Sequence, residues 1–273
     1  MSCFISGSGP SLNNYNLELL KSPGVMVIGI NNAWAKAPVD IMICQDPPGR
    51  FLGWGWMNPR IMKLCPENRR NDFIRTKNKQ GEFVEIPISP KETPNTYLFK
   101  RDLAFHPKTF LNHRSLNWGC DKGCPQRYKD RNTFISTLQL AHYFGFSNIY
   151  LIGVDFEMGI TKDAYAFKQE KGLKAQKNNN KRSYPRINNQ VQIIKPELEK
   201  EGISIYNCNK NSKLSCFKYK PFEEAIESSK IWSKESTDWY YNWESDPKDK
   251  HMLELSNGEI KTLPKKVEKK EDK

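Results

Sequence analysis

The sequence predicts an α/β protein built on an open, mainly parallel sheet. Three observations carry that reading. Short unbroken apolar runs, Cys3-Phe4-Ile5-Ser6 and Val25-Met26-Val27-Ile28-Gly29-Ile30, alternate with helical segments, as strands covered on both faces do. A second pair, Thr133 to Phe144 and Ile149-Tyr150-Leu151-Ile152, repeats the alternation late in the chain. Polar residues then stand at the ends of successive strands, where open sheets collect ligands: Gly7 to Ser11, Asn31-Asn32, Gln45-Asp46 and Asp155. This is the pattern of a Rossmann-like sheet.

Taken in order, the first run ends in the turn Gly7-Ser8-Gly9-Pro10-Ser11-Leu12, and Asn13 to Leu20 reads as a helix start. Glycines at that place let backbone amides approach a phosphate, and Ser11 can cap the helix or bind an oxygen. The second strand ends in Asn31-Asn32, Ala33 to Ala37 is a short helix, and Asp40 to Cys44 is a third strand ending at Gln45-Asp46. Residues 47–131 read as an elaborated, Pro-, Trp- and Lys/Arg-rich insertion, with strand-like pieces at Ile61–Leu64 and Tyr97–Phe99 that add one or two strands to the sheet. Thr133 to Phe144 is an amphipathic helix with Phe134, Leu138 and Ala141 on one face and Gly145 as C-cap. Residues 157–190 read as an irregular, lid-like loop, Val191 to Lys200 as a helix, Gly202 to Asn207 as the last strand and Phe222 to Ile226 as a short helix. The expected organisation is therefore a nucleotide-binding catalytic domain over 1–230, followed by an aromatic strap and charged tail over 231–273.

The net charge of +12 is concentrated. Residues 50–131 and 162–220 carry +9 each, whereas 132–161 carry −2 and 221–247 carry −5. Two basic stretches beside a nearly neutral core suit a polyanionic partner: nucleotide phosphates, an acidic glycan or DNA. The 7 cysteines are scattered, with Cys120 and Cys124 as the one close pair and no histidine near it, which argues against a zinc knuckle. Free thiols, no secretory leader pattern and no apolar run near ~20 residues point to a soluble protein of the cytoplasm, the host's if the protein is viral. No HExxH, Walker-type or Ser/His/Asp signature is present.

Candidate chemistry gathers at the strand ends. Asp155, at the end of a buried strand, is the central carboxylate, with Asp46 and Glu157 as further acids. Arg131, Thr133 and Ser136 open the helix before it and can meet an anion, and Tyr165 in the following loop can donate to a departing phosphate.

The blocks Ile5–Leu12, Asn31, Arg131-x-Thr133, Ile149–Phe156, Tyr165–Phe167 and Ile205–Leu214 resemble, in order and spacing, the bacterial sialyltransferases of glycosyltransferase family 42. They are also similar to the related 6-hydroxymethylpterin diphosphokinase-like family. The first resemblance implies metal-free transfer of a sugar from a nucleotide-activated donor, of cytidine or uridine type, to an acceptor hydroxyl. It implies that Gly7, Ser8, Gly9, Ser11 and Asn31, with Asn32 beside it, hold the nucleotide. Thr133, Ser136, Asp155 and Phe156 would line the donor pocket, and Tyr165 would steady the phosphate. The chain departs from that family at Ser8 and Glu157, and it lacks the loop histidine that serves as general base. Asp46, Asp155 or Glu157 is then the candidate base. The acceptor is a glycan or, in a viral setting, DNA. Two alternatives stand beside this one: a diphosphokinase in which Asp46 and Asp155 hold Mg²⁺, the one reading that needs a cofactor, and a non-catalytic nucleic-acid-binding module on a degenerate core.

Overall fold

The computed structural model describes residues 1–51, 53–77, 83–86, 88–102, 111, 116–117, 132–158, 164–167 and 173–230. Arg131, the Cys120–Cys124 pair and the aromatic strap with its tail lie outside the described residues.

The strands are β1 (Ser2–Ser6), β2 (Val27–Ile30), β3 (Ile41–Ile43), β4 (Met62–Pro66), β5 (Ile74–Lys77), β6 (Phe83–Ile86), β7 (Thr96–Phe99), β8 (Arg101–Asp102), β9 (Leu116–Asn117), β10 (Asn148–Ile152), β11 (Ser204–Asn207) and β12 (Lys218–Tyr219). Eight of them form one sheet in the order β12-β11-β10-β1-β2-β3-β4-β7. Every pairing in it is parallel. The sheet is thus an open α/β sheet of Rossmann type, and both strands expected from the 47–131 stretch belong to it, as β4 and β7. The same stretch adds a β5–β6 antiparallel hairpin and a small β8–β9 pair.

Alternation along the strands explains why both faces are apolar. Cys3 and Ile5 point to one layer with Ile28, Ile149 and Leu151, and Phe4 points to the other with Val27, Met42 and Tyr150. The first layer is covered by α2 (Thr133–Tyr143) and α3 (Leu173–Lys200); the second holds Trp34, Trp56 and α4 (Phe222–Ser229). A five-residue helix, α1 (Gly53–Met57), carries Trp56 into that second layer. The described cysteines form no disulfide, and four of them, Cys3, Cys44, Cys65 and Cys208, are buried.

Several elements differ from the sequence reading. The 13–20 and 33–37 segments are 3-10 turns rather than α-helix, at Pro10–Asn14, Leu17–Lys21 and Asn31–Ala35. More consequential, α3 begins at Leu173, so the part of the expected lid loop from 173 onward is helix. Two internal prolines and a run of asparagines disguise it. Pro185 and Pro196 both sit on the exposed side, where a missing amide is tolerated best, while Ile187, Val191, Ile194 and Leu198 make a continuous buried stripe. Tertiary burial of that stripe outweighs weak local propensity. The gain for function is a rigid wall of asparagine, serine and tyrosine side chains in place of a loop.

Candidate active site at the switch point

From β1 the chain proceeds outward through β2, β3, β4 and β7, then returns to the other side of β1 as β10, β11 and β12. The direction of winding therefore reverses between β1 and β10. At such a reversal the connections diverge and leave a crevice beyond the strand ends. The crevice here is a pocket of about 500 Å³, within the range of small-molecule sites.

Its floor is the Gly7–Ser11 turn laid against the end of β10. The Gly7 amide donates to the Ile152 carbonyl (2.8 Å) and the Gly9 amide to the Gly153 carbonyl (2.8 Å). The Ser11 amide donates to Asp155 Oδ2 (3.0 Å), and its hydroxyl donates to Asp155 Oδ1. A Cβ on Gly7 would overlap the Gly153 carbonyl oxygen, and one on Gly9 would overlap the Asp155 carboxylate. The glycines are thus explained by close backbone approach between β1 and β10. This corrects one expectation: the amides of Gly7, Gly9 and Ser11 are committed to β10 and do not face the pocket as a phosphate nest.

Asp155 is correspondingly a clamp. Besides Ser11, its Oδ1 accepts from Asn209 Nδ2 (2.9 Å), and its carbonyl accepts from the Lys213 amide (2.9 Å) and the Ser212 hydroxyl (3.3 Å). One carboxylate so joins the turns after β1, β10 and β11. Asn209 and Ser212 were not among the sequence candidates for the pocket, although they follow a strand end in the same way.

Around this floor stand Asn31, Asn32, Asp46, Thr133, Phe156, Glu157 and Tyr165, all of them sequence candidates and all lining one pocket with Gly7, Ser8, Gly9 and Asp155. Ser11 and Ser136 are not with them: Ser11 is buried and spent on Asp155, and Ser136 is fully buried with its hydroxyl meeting Gln45 Nε2. Asn132, which caps α2 through Oδ1 to the Phe134 amide (2.6 Å), takes a place on the wall instead. Asn31 and Phe156 both adopt left-handed backbone conformations, at φ 55° and 53°. For a phenylalanine this is strained geometry, held by ring contacts with Phe134 (5.6 Å) and Tyr184 (5.0 Å, stacked). Asn31 Oδ1 is buried with no hydrogen-bond partner among the described residues, an orphaned acceptor in a residue that lines the pocket.

The far wall comes from α3 and residues 164–167. The Ala166 amide donates to the Ser8 carbonyl (3.0 Å), tying that segment over the floor. Tyr165 stacks on Phe167 (5.9 Å) and hydrogen-bonds Asn180; burial pushes its phenol above the ordinary value, opposed by that bond and by the Arg50 guanidinium. Tyr184, also buried, is raised further, chiefly by desolvation, with Tyr165 and Asp155 adding to it. Both phenols are therefore protonated donors at neutral pH. Arg50 completes the wall, paired to Asp46 Oδ1 (3.0 Å). Sequence reading passed over Arg50, Asn179, Asn180 and Ser183 because the first lies in the irregular stretch and the others in the disguised helix.

The donor set does not fit the Mg²⁺ alternative. Asp155 oxygens are filled by N–H and O–H donors, Asp46 is paired with Arg50, and among the described residues no three His, Cys, Asp or Glu side chains come together as a metal site. No described helix is long and apolar enough to cross a membrane.

The geometry defines a class: an open parallel α/β protein with a polar, aromatic-walled pocket at its switch point. Among solved structures, the chain is similar to the sialyltransferase CST-II in complex with trisaccharide acceptor and CMP, at 15% identity and TM-score 0.44, over 80% of this chain and 85% of that one. It is also similar to the sialyltransferase CstII from Campylobacter jejuni in complex with a substrate analogue, cytidine-5'-monophosphate, at 13% identity and TM-score 0.43, over 80% and 84%. No family model matches the chain, and no curated protein matches it.

Proposed function

We propose that this protein is a glycosyltransferase that moves a sugar from a nucleotide-activated donor to an acceptor hydroxyl. One observation supports the reading above others. Two groups of sequence blocks about a hundred residues apart, Gly7–Gly9 with Asn31 and Thr133 with Asp155–Glu157 and Tyr165, converge on one pocket of about 500 Å³. In the reaction the bond from the sugar carbon to the donor phosphate oxygen breaks and a bond to the acceptor oxygen forms. The acceptor proton passes to a carboxylate, and the nucleotide leaves as a phosphate anion.

Of the three carboxylates on the wall, Asp155 is consumed as a clamp and Asp46 by Arg50. Glu157 is exposed, and among the described residues its ion-pair partner is Lys213 Nζ at 4.0 Å. Glu157 is therefore the general base, and Tyr165, protonated, donates to the leaving phosphate. Phe156 and Tyr184 form the apolar surface, and Asn31 Oδ1 accepts from the donor's base or ribose.

A thermal-shift panel of cytidine and uridine nucleotides and nucleotide sugars tests the reading; stabilisation by none of them sinks it. For the best donor, Glu157→Gln should lower kcat about 10²- to 10⁴-fold with KM nearly unchanged. An unchanged kcat would return the base to Asp46. The net charge of +12 favours a polyanionic acceptor. A DNA acceptor gives affinity that falls steeply with salt, whereas a small neutral glycan does not.

A further inference from the structure

If the pocket receives a nucleotide, something must receive its phosphate, and most amides of the Gly7–Ser11 turn are already engaged. The Gly7, Gly9 and Ser11 amides donate to β10 and to Asp155, and Pro10 has no amide hydrogen. The wall is moreover acidic: Asp46, Asp155 and Glu157 face the pocket, and Arg50 is the one Lys or Arg among its described lining residues. A phosphate entering this space meets repulsion from three carboxylates unless Arg50 offsets it.

Arg50 is placed to do so. It ends the tight turn Pro48–Arg50, whose first positions are fixed by Pro47 and Pro48; the Arg50 amide closes the turn on the Pro47 carbonyl (2.9 Å), and the next residue, Phe51, is buried as its anchor. The guanidinium spends Nη1 on Asp46 and is half-exposed, and among the described residues Asp46 is its one ion-pair partner, so an edge of the fork remains for a second oxyanion. Tyr165 lines the same pocket.

We propose that Arg50 and Tyr165 form an oxyanion clamp for the donor's anionic group, with Asp46 holding Arg50 in place while the pocket is empty. The inference rests on the nucleotide-binding reading of the pocket and adds to it the residue that makes binding depend on the anion. A phosphate of the nucleotide and a carboxylate of an acidic sugar present the same chemistry to this fork. The leaving phosphate is the source favoured here, because Tyr165 flanks the same spot.

The test is calorimetric titration of the full chain with cytidine, uridine, CMP, UDP and N-acetylneuraminate, and of its Arg50→Met, Arg50→Lys and Asp46→Asn variants. In wild type the nucleotide is expected to bind at least tenfold tighter than its nucleoside. Arg50→Met should erase most of that ratio while leaving nucleoside affinity within about twofold, and Arg50→Lys should keep part of it. Asp46→Asn should raise nucleotide affinity, since the guanidinium no longer has a competing carboxylate. An equal loss for nucleoside and nucleotide overturns the clamp and marks Arg50 as a shaping residue only, and so does a result in which Arg50→Met leaves both the ratio and the affinity for N-acetylneuraminate unchanged. If the ratio survives but affinity for the free acidic sugar N-acetylneuraminate collapses, the sugar carboxylate is the anion, and the leaving-phosphate assignment falls. Failure of wild type to bind any nucleoside or nucleotide instead takes down the underlying reading together with the clamp. Melting curves of the variants, expected within a few degrees of wild type for so exposed a side chain, guard against unfolding.

Discussion

Changing Asp155 to asparagine is expected to lower the melting temperature by about 5 °C and to weaken nucleotide binding at least tenfold, although the change is isosteric. The reason is donor arithmetic. Asp155 Oδ2 accepts from the Ser11 amide, and Oδ1 accepts from the Ser11 hydroxyl and from Asn209 Nδ2. An asparagine must present an NH₂ at one of these positions, where it meets either the Ser11 N–H or the Asn209 amide. Asn209 cannot simply turn over to compensate, because its Oδ1 already accepts from the Asn211 amide (3.0 Å). Hydrogen bonds to a charged acceptor contribute ~1.5–3 kcal/mol each; one lost outright, with those that remain weakened by the loss of charge, gives about 2 kcal/mol at a partly exposed site. For a domain of this size that is a shift of ~4–8 °C. A purely catalytic Asp155 predicts the opposite split: unchanged melting with a collapsed kcat. Differential scanning fluorimetry beside single-turnover kinetics separates the two.

Asp155 also shows how far the sequence could be read. Its place at the end of a buried strand was legible, since strand period and strand-end polarity are local properties, and so was the convergence of Gly7, Asn31, Thr133 and Tyr165 on one crevice. The occupancy of its oxygens was not. Asn209 lies 54 residues away and Ser11 lies 144 away, and which donors reach a carboxylate is decided by the register of β1 against β10 and of β10 against β11. The glycine turn misled for the same reason: a GxG motif fits close approach of two backbones as well as approach to a phosphate, and only the partner strand distinguishes them. Arg50 was invisible because it lies in an irregular stretch with no periodicity to place it, and the Asn179–Ser183 wall because proline and asparagine carry low helix propensity, which burial of Ile187, Val191, Ile194 and Leu198 overrides.

The larger stability effect lies on the opposite layer, at Lys63. This lysine occupies the middle of β4 opposite Met42 and on the same face as Cys65; it is fully buried. Its amine donates to the Asn58 carbonyl (2.5 Å), its one hydrogen bond among the described residues. Desolvation pushes the amine down from 10.5 to about 8. At pH 7 the folded protein therefore carries a buried cation, and folding opposes that charge by about 3 kcal/mol, at 1.36 kcal/mol per unit. Between pH 8 and 10.5 the unfolded chain binds a proton that the folded one has released, so this contribution to stability rises with pH through that window and levels off above it. Other buried groups run the other way. Burial raises the Tyr15 and Tyr184 phenols and the Cys3 and Cys208 thiols, and their contributions are lost as pH climbs past the ordinary values. The pH profile of wild type alone thus mixes opposing slopes. Comparison with Lys63→Met removes what the two proteins share. The methionine keeps the volume and gives up the charge and one hydrogen bond, so the variant should be more stable by about 1–2 kcal/mol at pH 7. That advantage should shrink by about 3 kcal/mol and reverse sign by pH 10.5. Urea melts of both proteins at half-unit steps from pH 7 to 10.5 read the difference directly. A gap that stays constant across the series would mean that the Lys63 amine holds its proton equally in the folded and the unfolded chain, so that burial does not shift it.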